Sequence, residues 1–406
     1  MSESKVPYSM RGCLIEQDDF DIVKKVMKEE CLSGEGPYTQ KFQEKFAQYC
    51  GVSHAFACCN GTIALDIAAQ ALGLQAGDEV LTSAISFVAT ALAPLRCGAT
   101  VKFVDLDPRT MNIDPARIEE QITAKTRAIF LVHLAGQMCD MDAIMRLAQK
   151  HSLRVVEDAA HAPGAAYKGR KAGSIGDIGT FSFHTWKNMC TLGEGGMVVC
   201  KDDQLADRIN KLKTFGCVHD AKPIWECIDG QLPFYLDFQK VGPYYGSNYR
   251  LSDVQAAMGL TQLDKLDKSN DKRRRYASWL TEGLAGVDEI VTPYEDPNYH
   301  HVYHLYNVQF ESENLPVGKD ALLQPLMEEY GVQCWIQYMP VYLFSIFRDQ
   351  GHEIGECPVA EDIFRTKLIS LPIGPTMTKD HAEYTVECIK RIICKLRSEI
   401  GRAGLA

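Results

Sequence analysis

No pair of cysteines in this chain has Cys-x-x-Cys spacing, although the chain holds 15 of them. The neighbouring Cys58 and Cys59 cannot easily point into one zinc site, so structural zinc is not expected. The cysteines are scattered through apolar segments with no signal-peptide-like stretch ahead of them. That pattern favours a reduced, cytoplasmic protein over a disulfide-stapled secreted one. Also missing are an apolar run long enough to span a bilayer, any internal repeat, and any low-complexity tract. Positive charge is short as well: the formal net charge of -10 argues against a nucleic-acid surface, which needs clustered Lys and Arg. The one dense basic run, Lys272 to Arg275, lies in a charged helix-like stretch and reads as a solvated face. No Gly-x-Gly-x-x-Gly follows the first predicted strand, which discounts a nicotinamide-binding fold.

What is present is ordinary globular composition over 406 residues, enough for a large core and roughly two to three domains. The residues up to about Met10 read as an arm. A helix is predicted over Asp18 to Glu30, a loop at Ser33 to Pro37, and a second helix over Tyr38 to Cys50, ended by Gly51 in a left-handed conformation. A strand at His54 to Cys59 leads through Asn60-Gly61-Thr62 into an apolar helix, Ile63 to Leu74. Strand, glycine turn and buried helix make an anion site, because the first N–H groups of a helix are unpaired and its dipole is positive there. Simple helix capping by Asn60 or Thr62 is the competing reading.

Further strands are predicted at Glu79 to Leu81, Thr100 to Val104, Ala128 to Leu134 and Arg154 to Val156, with helices such as Met141 to His151 between them. The alternation implies a mostly parallel sheet covered on both sides, with ligands at the carboxyl ends of its strands. Asp158 falls on that rim. The strand-like run Gly179 to Phe183 brings Ser182 there just before Lys187. An acid and a lysine so arranged suit pyridoxal phosphate (PLP), which needs a lysine for a Schiff base and a carboxylate at its ring nitrogen.

Beyond this stretch a helix is predicted over Asp202 to Thr214, an irregular active-site or interface loop over Gly216 to Gly246, and a long linking helix over Ser252 to Leu284. The rest reads as α+β. A half-buried strand is predicted over Val302 to Phe310, with Val302, His304, Tyr306, Val308 and Phe310 on one side. A helix follows at Lys319 to Tyr330, then a strand near Val332 to Gln337 and a last helix over Lys379 to Glu399. His300, His301 and His304 are separated by strand alternation, so structural or surface roles are expected for them rather than a metal site.

Several stretches together resemble the DegT/DnrJ/EryC1/StrS family of PLP-dependent sugar aminotransferases. They are Gly36-Pro37 with Phe42, Asn60 to Leu65, Gly77 to Val80, Glu157 to His161, Gly176 to Phe183, Lys187-Asn188, Gly193 to Gly196, Asn248 to Arg250, and Ser370 to Pro372. The resemblance implies a fold-type-I α/β transferase, with a large mostly parallel sheet domain over residues 37–264 and a smaller α+β domain over 265–406. Residues 1–36 would form an N-terminal arm and first helix, and the small domain would begin with a linking helix. It implies that Lys187 holds PLP, Asp158 pairs with the pyridine nitrogen, and His161 meets the ring hydroxyl. It further implies Gly61, Thr62 and Ser182 on the phosphate, Phe87 over the ring, and Asn248 reaching the cofactor of a partner subunit in a homodimer. Pyridoxamine phosphate would arise during turnover. Substrate contacts are expected from Ser33, Phe183, His184, Asn188, Gln337 and Tyr338, with no metal, nucleic acid or membrane involved.

The implied activity moves an amino group from L-glutamate or L-glutamine to a ketone of a sugar, nucleotide-linked in most such enzymes, in amino-sugar biosynthesis. The chain departs from its relatives where many carry His-Tyr-x-Pro-x-His. Here the stretch is Gln337-Tyr338-Met339-Pro340-Val341-Tyr342, with both histidines replaced. That departure keeps a keto-cyclitol or unlinked keto sugar open as acceptor. His184, Trp186 and Cys190 are further uncommon choices. Keto-sugar dehydration is disfavoured by Lys187, since such relatives tend to carry histidine there. A non-catalytic PLP-binding regulator is disfavoured by the full set Lys187, Asp158, His161 and Ser182.

Overall fold

The computed structural model describes residues 5–8, 11–29, 32–219, 236–311, 315 and 317–403. Its centre is a seven-stranded sheet. In chain order its strands are β1 (His54–Cys58), β2 (Glu79–Ser83), β3 (Thr100–Val104), β4 (Thr126–Val132), β5 (Arg154–Asp158), and, after the short pair β6 (Ala166–Tyr167) and β7 (Arg170–Lys171), β8 (Ile178–Ser182) and β9 (Gly196–Cys200). The spatial order is β1-β9-β8-β5-β4-β2-β3. Only β9 runs against the others, pairing antiparallel with both β1 and β8. Sequence reading found six of these strands and missed β9, whose apolar run after Gly195-Gly196 is short.

Successive residues of each strand feed opposite faces, as the pleat requires. Ile129, Val155 and Val199 belong to a core shared with Phe42 and Phe46 of α2 (Pro37–Cys50), while Phe130, Val156 and Val198 belong to one shared with Ile67 of α3 (Gly61–Ala71). A sheet buried on both faces explains why its strands read as continuous apolar runs. Gly51, which ends α2, has φ 72°, the left-handed conformation expected of it.

A 32-residue helix, Asp253–Leu284, begins with a reciprocal cap between Ser252 and Gln255. At 1.5 Å per residue it is about 48 Å long, enough to serve two cores. Ala256, Ala257, Leu263 and Leu266 join the large sheet's core, and Tyr276, Ala277, Leu280 and Leu284 join a second one. That second core is built on the antiparallel strands Ile290–Val291, Tyr306–Phe310 and Leu368–Leu371, with the helices Asp320–Glu328 and Lys379–Ala403 beside them. Val6 of the N-terminal arm is buried in it too and bridges to Val332.

Two expectations for this part are corrected. The strand over Val302 to Phe310 starts only at Tyr306 and is buried on both faces, so its apparent alternation did not reflect one wet side. No regular strand forms over Val332 to Gln337; isolated bridges at Val332 and Trp335 hold that segment instead. The middle of the Gly216 to Gly246 loop, 220–235, lies outside the described residues, and its ends pair as Cys217–His219 with Leu236–Phe238.

The rim carrying the site is fixed by Glu157. Its buried carboxylate accepts N–H bonds from Gly173 (2.9 Å), Ile175 (2.6 Å) and Gly176 (2.6 Å), and meets His133 Nε2 at 2.8 Å. Because the Cys139 N–H donates to His133 Nδ1, Nε2 carries the proton and donates to Glu157. Burial pushes the Glu157 carboxyl up, but His133 and the backbone N–H groups outweigh it and hold the carboxyl below its ordinary value. A depressed carboxyl stabilises the fold above its unfolded pKa and loses that contribution as pH falls through the folded value. Glu157→Gln, which turns an NH2 group toward N–H donors, should lower stability by roughly 2–4 kcal/mol. The urea midpoint should drop accordingly, and the gap between variant and parent should close at acid pH.

Candidate active site

The carboxyl ends of β1, β5 and β8 surround a cavity of about 390 Å³. Asp158, the last residue of β5, is buried there; its Oδ2 accepts from the Thr90 hydroxyl at 2.6 Å and its Oδ1 from the Ala160 N–H at 3.0 Å. Burial raises the Asp158 carboxyl, against the opposing pull of Thr90, Ala160 and Lys187. Lys187 also lines the cavity. Burial lowers its ammonium to about 8, against the attraction of Asp158. An amine of that pKa is neutral in a substantial fraction of molecules near neutral pH, which is what a nucleophile or proton carrier requires.

At one end of the cavity stand Gly61, Thr62 and Ser182. Gly61 and Thr62 are the first two positions of α3, whose N–H groups have no carbonyl one turn back. Asn60 caps the helix by accepting from the Ile63 N–H at 2.9 Å. The cap uses a different N–H, so it does not compete with an anion at Gly61 and Thr62. A Cβ on Gly61 would come within 2.6 Å of the Ser182 Cβ, so glycine is what lets the helix start reach the end of β8.

His161 lines the same cavity. Its ring stacks on His304 at 4.3 Å between centroids, and its Nε2 lies 3.4 Å from the Tyr338 hydroxyl. Its Nδ1 is buried without a partner. Burial, assisted by the Lys187 charge, holds the ring well below the ordinary histidine pKa, so it is neutral. Phe87 remains 53% exposed at the cavity wall, edge-on to Tyr338. An anion-receptive helix start, a paired buried acid, a low-pKa lysine, an unsatisfied imidazole nitrogen and an exposed ring within one cavity together fit PLP.

His184, Gln337 and Tyr338 also line the cavity. Four other predicted residues do not. Phe183 is fully buried against Phe42 and Phe46, so the expected substrate contact is corrected to a core role. Asn188 is likewise buried: its amide donates to Asn270 and to the Val302 carbonyl, and its oxygen accepts from His304 Nδ1 at 3.1 Å. It positions His304. Ser33 and Asn248 are exposed and outside the cavity, with Asn248 Oδ1 accepting from Arg250 Nε. His304, expected to have a structural or surface role, instead faces the site.

Sequence reading missed Thr90 and Tyr8, and the solvated face expected over Lys272 to Arg275 is corrected at Arg273, which is buried. Thr90 is the second residue of the helix Ala89–Arg96 that follows β2, and a hydroxyl there carries no signal of its own. Tyr8 comes from the arm and donates to Gln337 Oε1 at 2.6 Å. Arg273 is 1% exposed and binds the carbonyls of Gly12 (2.6 Å) and Tyr303 (3.1 Å). Of the two replaced histidines in the 337–342 stretch, only the first lies at the cavity. Tyr342 is buried beside Phe103, bonded to Glu361.

The comparisons with known proteins agree with this geometry. Residues 14–390 match the model of the DegT/DnrJ/EryC1/StrS aminotransferase family. The chain is 36% identical to the spore coat polysaccharide biosynthesis protein SpsC of Bacillus subtilis, over 96% of this chain and 97% of that protein. It is 38% identical to the GDP-perosamine synthase of Caulobacter vibrioides, over 81% and 84% of the two chains. The solved aminotransferase of Psychrobacter cryohalolentis superposes with a TM-score of 0.87 at 34% identity, covering 96% of this chain and all of that one (100%). The chain belongs to the DegT/DnrJ/EryC1/StrS aminotransferase family and is a transaminase. Among the described residues no helix is long and apolar enough to cross a membrane.

Because burial depresses Lys187, its acylation by acetic anhydride in cofactor-free protein should reach half its maximal rate near pH 8. Ordinary surface lysines should do so more than two units higher, near about 10.4. Peptide mapping after competitive labelling would measure both in one sample.

Proposed function

We propose that this aminotransferase uses PLP to move an amino group from L-glutamate or L-glutamine to a ketone on a nucleotide-linked sugar. The observation that carries the reading is the meeting of Lys187, with its amine lowered to about 8, and the paired Asp158 in one cavity. The sugar part of the reading is supported by the similarity to a GDP-perosamine synthase. In this reading the enzyme is cytoplasmic and works as a homodimer, with Asn248 of each subunit serving the neighbouring site.

When bound, PLP supplies an electron sink that stabilises negative charge on the carbon attached to the transferred nitrogen. The chain supplies the rest. Lys187 holds the cofactor covalently and later takes and returns the migrating proton through Nζ. Asp158, aimed by Thr90 and the Ala160 N–H, keeps the ring nitrogen protonated; a positive charge beside it offsets the burial that raises its own carboxyl. His161 donates from Nδ1 to the ring hydroxyl, which satisfies a buried nitrogen otherwise left alone. Gly61, Thr62 and Ser182 receive the phosphate, and Phe87 covers the ring. Tyr8, Gln337, Tyr338 and His184 face the space left for the sugar.

Purified holoenzyme should be yellow, bleach with L-glutamate and recover its colour with a keto-sugar acceptor. Labelled nitrogen from glutamate should appear by mass spectrometry in nucleotide-linked amino sugars and not in keto-inositol products. Transfer to keto-inositols alone would overturn the nucleotide-sugar reading. No response of the colour to any amino donor would overturn the whole. Thr90→Val, which leaves Asp158 Oδ2 without its donor, should weaken PLP binding and turnover about 10-fold each, as the loss of one hydrogen bond to a charged group allows. Equilibrium dialysis against PLP and steady-state rates would check the two separately.

A further inference from the structure

Behind the cavity, the segment before the first helix, Gln17–Val26, packs on the loop that carries Lys187. The Gly12 N–H donates to the Thr185 carbonyl at 2.9 Å, and a Cβ on Gly12 would sit 2.2 Å from the carbonyl oxygens of both Trp186 and Lys187. The next residue, Cys13, is 1% exposed, and Cys190, three positions after Lys187, is 4% exposed. They share a small apolar cluster with Met258, against which Ile15 and Val23 pack. The Cys13 thiol donates to the Cys190 sulfur, with the two sulfurs 3.1 Å apart across 177 residues of sequence. Both thiols are free, and the gap exceeds a disulfide bond of about 2.05 Å by only about 1 Å.

The other buried cysteines differ. Cys50 and Cys139 are raised by burial, and the Cys139 thiol donates to the Val132 carbonyl. Among the described residues no second pair of sulfurs is hydrogen-bonded. Among the described cysteines only Cys190 is moved toward its thiolate, first by the Cys13 donor, while Cys13 moves the other way. One sulfur is thus set up as nucleophile and its neighbour as the resolving thiol.

We propose that Cys13 and Cys190 are a modification site, forming a reversible disulfide with hydrogen peroxide as oxidant and tying the arm to the Lys187 loop. The Cys190 thiolate attacks one peroxide oxygen and the O–O bond breaks. The departing oxygen takes up a proton and leaves as water, giving a sulfenic acid on Cys190. Cys13 then attacks the Cys190 sulfur, the S–O bond breaks, and the hydroxyl leaves with the Cys13 proton as a second water. Two thiols lose two electrons in total, and one peroxide gains them. A dithiol reverses the change by exchange. The link would close a long loop, which constrains the unfolded chain and raises thermal stability. It also fixes the arm that delivers Tyr8 to the cavity.

The proposal does not depend on the acceptor sugar and is tested on the full-length protein. Hydrogen peroxide at a few equivalents, followed by N-ethylmaleimide and a non-reducing digest, should yield a peptide joining Cys13 to Cys190. Dithiothreitol should remove it, and the melting temperature should rise by a few degrees on oxidation and return on reduction. In Cys13→Ser the oxidised Cys190 should be trapped by dimedone as the sulfenic acid. The proposal is overturned if both thiols stay reduced while the exposed Cys394 oxidises, or if both reach sulfinic acids without ever linking. Should Cys13→Ser fail to fold, the mapping on the unsubstituted protein decides alone.

Discussion

The site depends on one buried carboxylate that does not enter it. Glu157 and Asp158 are neighbours on β5, and the pleat sends their side chains to opposite faces. Glu157 faces inward and gathers the backbone of Gly173, Ile175 and Gly176. Gly173 in turn lies against Gly179, where a Cβ would come within 2.4 Å of it. That contact seats β8 on β5 in the register Glu157 to Gly179 and Asp158 to Thr180. Ser182 then arrives two residues beyond Thr180, where Gly61 can meet it. Removing one charge from the core would thus loosen the meeting of Gly61 with Ser182 several residues away.

The charges that do face the cavity are held against their solvent preferences. Burial raises Asp158 and lowers both Lys187 and His161. The Lys187 amine, lowered to about 8, can change protonation near neutral pH, while the buried Asp158 carboxyl is raised against the pull of its hydrogen-bond donors and Lys187. Thr90 and the Ala160 N–H keep the acid from drifting too far.

Much of this was legible in the sequence, for physical reasons. Strand and helix alternation follows from apolar periodicity, and Asp158 and Ser182 sit at strand ends whose boundaries are short and clear, with Lys187 in the loop just after. The glycine turn at Gly61 announced a helix start with free N–H groups. What stayed hidden was produced by packing between distant segments. Nothing local marks Tyr8, Thr90 or Arg273, because each matters only through a partner dozens to hundreds of residues away. Alternation misled at Val302 to Phe310, since the strand is covered on both faces and period two carries no meaning there. Phe183 and Asn188 were drawn into the site by nearness in sequence to Lys187, whereas the strand's next residue simply points into the core.

The two cores divide the labour of the cavity. Gly61, Thr62, Asp158, Ser182 and Lys187 come from the rim of the large sheet, whose register is locked by Glu157 and by the paired faces of its strands. Tyr8, His304, Gln337 and Tyr338 come from the arm and from the segments beside the second core, which hold irregular backbone. Arg273, on the helix common to both cores, binds the carbonyls of Gly12 and Tyr303 and so joins these segments to one helix. Substitutions on the second side can reshape the space for an acceptor while leaving the chemical groups undisturbed. The exchange of histidine for Gln337 is of that kind. The exchange at Tyr342 is not, because its hydroxyl is spent on Glu361 inside a core.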